Sequence, residues 1–241
     1  MPLMFTKFNP LSMKLLSQGM TNAKTKKNEL ETHIMYLAPS TQLAGFNLCP
    51  KASKGCSASC LYTAGRGRFN SVQKARLERT KLWAYDRTQF YHVLLKELDK
   101  LSSRATRLGK TIAVRLNGTS DIDHVEMMLR VTGIDVLKMD GLIFYDYTKC
   151  INYINKYKGT AYKFTFSRSE CNDEDVDKVL SEGGNVAVVF KDTLPDTWRG
   201  YKVINGDETD LRYFDPTNVV VGLKAKGEAK KDTSNFVVCG Q

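Results

Sequence analysis

The stretch TIAVRLNGTSDIDHVEMMLRV, residues 111–131, holds one β/α unit in miniature. Thr111 to Leu116 is a short apolar run interrupted by Arg115, the exit from Asn117 to Asp121 is polar, and residues 122–131 return to helical spacing. The same texture recurs downstream, with apolar runs at Leu142 to Tyr147, Tyr162 to Phe166, Val186 to Phe190, Tyr201 to Ile204 and Val219 to Leu223. Helices are expected between some of them, near 148–157 and 172–182. Upstream, Thr32 to Leu37 reads as a first strand that stops at Ala38-Pro39-Ser40, and residues 70–108 read as one long or two consecutive helices. Apolar runs alternating with helical segments are what a parallel sheet with crossover helices writes into a sequence. The expected class is therefore α/β, a single (β/α) barrel-like domain, closed or incomplete, with an N-terminal cysteine loop and basic helices. A doubly wound open sheet is the alternative, because strand count does not separate the two. The expected boundaries are a basic arm over 1–31, a body over 32–225 that includes the cysteine loop 41–69, and a tail over 226–241.

Charge is distributed unevenly over this plan. The 241 residues carry 36 Lys and Arg against 26 Asp and Glu, a net of +10. Residues 1–110 hold nineteen basic and six acidic side chains, so the whole positive excess lies in that half. Such asymmetry points to an anionic partner, a small molecule or a nucleic acid. No apolar run approaches the roughly 18 residues of a membrane helix, and Lys7, Pro10 and Lys14 break the apolar pattern of the first residues. No membrane association and no secretion are expected, and the six cysteines are expected to be reduced.

Three of those cysteines form the sharpest motif, Cys49-Pro-Lys-Ala-Ser-Lys-Gly-Cys56-Ser-Ala-Ser-Cys60. They lie among Lys, Ser and Gly, where packing does not explain them, and Lys51 and Lys54 favour the metal-binding thiolate. Cys56 and Cys60 fit a zinc-type pair, but Cys49 is six residues further off and no fourth ligand is nearby. Three thiolates suit a [4Fe–4S] cluster with one iron left open, with zinc as the alternative metal. Cys150, Cys171 and His124, each just beyond an expected strand, are distant ligands that could complete either site or be ordinary helix-start residues.

The segment NLCPKASKGCSASCLYTAGRGRF (47–69), with NAKTKKN (22–28) upstream and VRLNGTSD (114–121) downstream, resembles the bacteriophage gene-product-88-type family over roughly residues 20–125. That resemblance implies a phage origin and the cytoplasm of an infected bacterium, and brings no activity with it. More distantly, three cysteines after the first strand of a β/α barrel resemble radical S-adenosylmethionine enzymes, which implies S-adenosylmethionine at the open iron. The departures are concrete. Those enzymes space their cysteines three and two apart with an aromatic before the third, whereas here the gaps are six and three, and Ser59 precedes Cys60. Their Gly-Gly-Glu-like segment is replaced by Asn117-Gly-Thr-Ser-Asp121.

Ligands of parallel β/α folds meet the C-terminal strand ends, so Arg115, Asn117, Ser120 and Asp121 are candidate cofactor-binding residues. An Arg on an apolar strand needs an anionic partner, either a ligand or a local Asp121 or Asp123. Arg66, between Gly65 and Gly67 before a helix, is a further candidate for a phosphate or carboxylate. The Walker pattern is missing, and His33, His92 and His124 sit in no nucleophile motif, which lowers nucleotide hydrolysis and triad chemistry. The leading expectation is an iron-sulfur β/α protein acting on an anionic substrate. Its rival is a zinc-stabilised nucleic-acid-binding module using Arg66, Arg68, Lys74 and Arg79.

Overall fold

The computed structural model describes residues 13–19 and 30–239, so 22 of the 31 residues of the expected basic arm lie outside the described residues, and the described part carries a short strand that the sequence does not show. Its strands are β1 (Leu16–Gln18), β2 (Thr32–Met35), β3 (Ile112–Arg115), β4 (Leu142–Thr148), β5 (Tyr162–Ser167), β6 (Val186–Phe190), β7 (Thr197–Trp198), β8 (Tyr201–Asn205) and β9 (Val220–Lys224). They form one sheet in the order β1-β2-β3-β4-β5-β6-β9-β8-β7. The pairs from β2 to β6, and those of β9 with β6 and β8, are parallel; the edges β1 and β7 run antiparallel to their neighbours. The helices are α1 (Lys54–Ala58), α2 (Asn70–Tyr85), α3 (Arg87–Leu108), α4 (His124–Thr132), α5 (Ile151–Lys156) and α6 (Asp173–Ser181).

Alternation along each strand divides the sheet into two faces. Ile112, Val114 and Leu116 of the β3 segment join Leu142 and Phe144 of β4 under Phe90, Leu94, Leu98 and Leu101 of α3. These α3 residues recur at helical spacing and give it one buried stripe. Asp86 divides the basic helical region in two: its N–H closes α2 on Leu82, and its side chain caps α3 by accepting from Gln89 N–H at 3.0 Å. Gly109 then ends α3 in the left-handed region, at φ 58°.

The opposite face is where the expected barrel fails to close. Strands β2 to β6 follow one another in sequence order, as barrel strands do, but β9 is inserted between β6 and β8, and among the described residues no ladder joins β1 to β7. The β8–β9 connection crosses the inner face instead of crossing as a helix outside it. Its short 3-10 turn, Arg212–Phe214, packs on β4 and β5, and Leu211 and Tyr213 cluster with Ala113, Ile143 and Tyr145. A segment of the chain thus occupies the space that a closed barrel would give to its own side chains.

Smaller differences have local causes. The expected helix at 148–157 starts only at Ile151, because Thr148 is still strand and its hydroxyl accepts the N–H of Cys150 at 2.9 Å. The edge strand β1 is too short to show a period, and its approach is fixed by Glu97, which accepts the N–H groups of Leu15 and Leu16 at 2.7 and 2.8 Å. The tail packs back: Ala229, Phe236 and Val237 are buried with Ala225, and Val238 forms a bridge to Phe190 beside β6.

Candidate metal and anion site

The loops after β2, β3, β4 and β5 meet on one rim, at the C-terminal ends of the parallel strands. The β2 loop is pinned first. Leu48 is buried, its N–H bonds Ser40 O at 3.0 Å, and its carbonyl accepts the N–H of Asp121 at 2.8 Å. Cys49 follows, its N–H held by Asn47 Oδ1 at 2.9 Å and its sulfur accepting the N–H of Ser40 at 3.3 Å. The thiol of Cys49 faces Thr119 O of the β3 exit at 3.8 Å.

Cys56 lies on the short helix α1, which is fastened at its start from a distance. Ser53 caps it by accepting Cys56 N–H at 3.0 Å, while Glu170 of the β5 exit accepts Ser53 Oγ at 2.6 Å and Gly55 N–H at 2.7 Å. Burial opposes the Glu170 charge, yet these two donors hold its carboxyl below the ordinary range. Gly55 is required by contact: a Cβ there would lie 2.1 Å from Ser234 Oγ and 2.7 Å from Phe236 Cβ of the tail. Cys60 follows α1, and its sulfur accepts the N–H of Tyr62.

The three thiols share one electrostatic environment. Burial pushes Cys49 up to about 12, with Cys60, Asp121 and Cys56 each adding to the rise. Burial also raises Cys60, against the Tyr62 N–H and the cations Arg76 and Lys149. All six cysteines are free, and among the described residues no group of three or more His, Cys, Asp or Glu stands in an arrangement that would hold a single metal ion.

The other sequence candidates divide sharply. Arg115 projects to the inner face, where Nε is 3.4 Å from Asp146 Oδ1, Nη1 is 3.1 Å from Asp210 Oδ2, and its guanidinium lies over the Tyr147 ring. Its anionic partners are therefore internal, and come from β4 and the β8–β9 connection; Asp123 caps α4 instead, accepting Glu126 N–H at 3.1 Å. Asn117 braces the β3 exit: Oδ1 accepts Ser120 Oγ at 2.8 Å and Ile122 N–H at 2.9 Å, and Nδ2 donates to Ile122 O at 2.9 Å. Asp121 is raised by burial and accepts Thr148 Oγ1 at 2.7 Å and Lys149 N–H at 2.9 Å, which ties the β3 exit to β4. Arg66 is exposed on the 3-10 turn Gly65–Arg68.

Of the distant ligands considered, His124 is wholly buried, with Nδ1 at 3.1 Å from Tyr91 OH and its ring against Phe90. Cys150 is half-buried at the start of α5, and Cys171 is exposed with Ser169 Oγ 3.7 Å away. Two further cations stand on the rim, Lys149, which no motif marks, and Arg76, which the sequence offers only as one member of a basic helical run. Lys149 donates to Ser167 Oγ at 2.8 Å. Arg76, on α2, is buried with its guanidinium 5.0 Å from the Tyr36 ring and 5.7 Å from the Tyr62 ring. Within the run Lys74, Arg76, Arg79 and Lys81 nothing in the sequence distinguishes the buried arginine from its less buried neighbours.

The family model described as Gene product 88 matches residues 14–239. The chain belongs to the Gene product 88 family. The match takes in the cysteine loop, the sheet and the packed tail of this family member, well beyond the stretch on which the resemblance rested. No curated protein matches the chain. No solved structure matches it either, so neither comparison extends the likeness to radical S-adenosylmethionine enzymes. Among the described residues no helix is long and apolar enough to cross a membrane.

Proposed function

We propose that this Gene product 88 family member is a phage iron-sulfur protein in which Cys49, Cys56 and Cys60 hold a [4Fe–4S] cluster and an anionic small molecule is bound at the cluster. The reading rests on one observation: three thiols from a single loop share the C-terminal rim within electrostatic reach of one another, and main-chain N–H groups are aimed at two of the sulfurs. Donors of that kind stabilise thiolate ligands, and Arg76 and Lys149 offset the negative charge that three thiolates bring. A cubane separates its thiolates more widely than a single ion does, so the reading does not require single-ion geometry. When bound, such a cluster supplies electron transfer and an open iron that accepts a ligand. The protein's own part is to hold the thiols through Ser40, Tyr62 and the Glu170-fastened helix, and to pack the tail against Cys56.

Anaerobic purification followed by iron, sulfide and absorption analysis tests the reading. The expected result is a brown protein with about four irons and four sulfides, lost on changing Cys49, Cys56 or Cys60 to Ser. A colourless protein with stoichiometric zinc and no sulfide would overturn it. A change in the reduced cluster's spectrum on adding S-adenosylmethionine would identify that compound as the ligand of the open iron.

A further inference from the structure

We propose that Arg76 is an oxyanion-binding residue, which takes the carboxylate or phosphate group of a small ligand seated between Tyr36 and Tyr62 beside Cys60. The inference deepens the cluster reading by naming the class of ligand that shares the rim, and it stands on a contrast among buried arginines. Arg76, Arg168 and Arg212 are 7%, 8% and 4% exposed. Arg168 pairs with Asp173 at 3.3 Å and donates to Phe236 O at 3.1 Å. Arg212 pairs with Asp215 at 3.1 Å and donates to Thr209 O at 2.6 Å. Nε and Nη1 of Arg76 are buried without a hydrogen-bond partner, as are Nε and Nη1 of Arg212; but Arg212 has the Asp215 carboxylate beside it, whereas among the described residues no Asp or Glu pairs with Arg76.

A buried guanidinium left in that state is strongly destabilising. The two tyrosine rings offset only part of this through their faces, and they accept no hydrogen bond from the unused donors. The surroundings are built around the guanidinium and not open to bulk water. Gly67 brings the 3-10 turn so close that a Cβ would stand 3.4 Å from Nη1 and 2.8 Å from Leu61 O. Tyr36 and Tyr62 are each partly exposed, which leaves the edge of the site reachable. A planar cation with unused donors in a dry, aromatic-walled position matches a carboxylate or phosphate. A thiolate cluster at Cys60 lowers the electrostatic cost from nearby but does not supply directed acceptors to both nitrogens.

Thermal unfolding of the purified protein, in chloride buffer free of oxyanions, tests the assignment by titration with inorganic phosphate and with acetate at constant ionic strength. Wild type should gain roughly 5–10 °C at about 100 times the dissociation constant. Phosphate alone acting would assign a phosphate ligand, and acetate alone a carboxylate. Arg76→Met should lose the response, while Arg76→Lys should keep a weakened one. Cys60→Ser protein that contains no iron or sulfide should still respond, which separates failure of this assignment from failure of the cluster. Equal responses in wild type and Arg76→Met, or none in wild type, would overturn it. Should Arg76→Met not fold, the Arg76 Nε–H resonance carries the test: movement with either anion supports the assignment, and a fixed resonance overturns it.

Discussion

Arg115 and Arg76 are both largely buried arginines of the same molecule, one on an apolar strand at the inner face of the sheet and the other on a basic helix behind the cysteine loop, and the protein treats them in opposite ways. Around Arg115 the chain supplies Asp146, Asp210 and the Tyr147 ring, and Asp146 in turn accepts the N–H groups of Leu116 and Asn117 and the hydroxyl of Tyr162 at 2.6 Å. Around Arg76 it supplies two aromatic rings and leaves donors unused. That ion-paired network, in which Arg115 Nε and Tyr147 OH alone keep no hydrogen-bond partner among the described residues, holds strands and a crossing segment together. Under the proposed assignment the donors left over at Arg76, next to thiols raised by burial, find their acceptors on a ligand.

Each side of that contrast can be attacked by mutation. The largest effect belongs to the rim: Cys60→Ser should remove the bound cluster altogether, measured as iron and sulfide per chain, while far-ultraviolet circular dichroism stays unchanged because the sheet does not depend on it. Next comes the inner face. Asp210→Ala strips an acceptor from both Arg115 and Tyr145 OH, and should cost about 3–5 kcal/mol in urea unfolding. Arg115→Met should be comparably damaging because it leaves two buried carboxylates without their cation. If Asp210→Ala proved neutral, the inner network would not be the brace described.

The helical face makes an acid-sensitive control. Burial depresses His124 to about 3, so the folded protein keeps it neutral where the unfolded chain, near 6.5, takes up a proton. Stability from this residue is therefore complete above pH 6.5 and should fall by about 1.4 kcal/mol per pH unit below it. Urea midpoints at pH 7, 6 and 5 would show that slope, and His124→Phe should flatten it. A smaller loss, about 1–3 kcal/mol, is expected from Gly55→Ala, whose Cβ would collide with Ser234 and Phe236, and it should be accompanied by weaker retention of iron. Smallest of all, Arg76→Met in anion-free buffer should be neutral or stabilising by about 1 kcal/mol, opposite in sign to Arg115→Met.

The sequence exposed the strands through Ile112 to Val114, Val186 to Phe190 and their like, because a parallel sheet buried on both faces demands unbroken apolar runs. Closure was not legible, since whether β9 follows β6 or β8 in space leaves no mark on periodicity. The cysteine loop was conspicuous because three thiols among Lys, Ser and Gly have no packing explanation. Arg115 stood out for the same reason, but its partner Asp210 lies 95 residues away, beyond the reach of any local pattern. Arg76 was hidden for the opposite reason: its neighbours on α2 are also basic, and only the fold shows which one turns inward.

The contact between Gly55 and the tail bears on the order in which the molecule is completed. The cysteine helix is made early, yet the groups that hold it, Glu170 and then Ser234 and Phe236, emerge from the ribosome about 115 and 180 residues later. During synthesis the three thiols wait on an unfinished support, exposed to oxidants and to stray metal. If the rim takes the proposed cluster, loading needs the finished chain, and anything that slows delivery of the last residues lengthens the interval in which Cys49, Cys56 and Cys60 can be lost to the wrong chemistry.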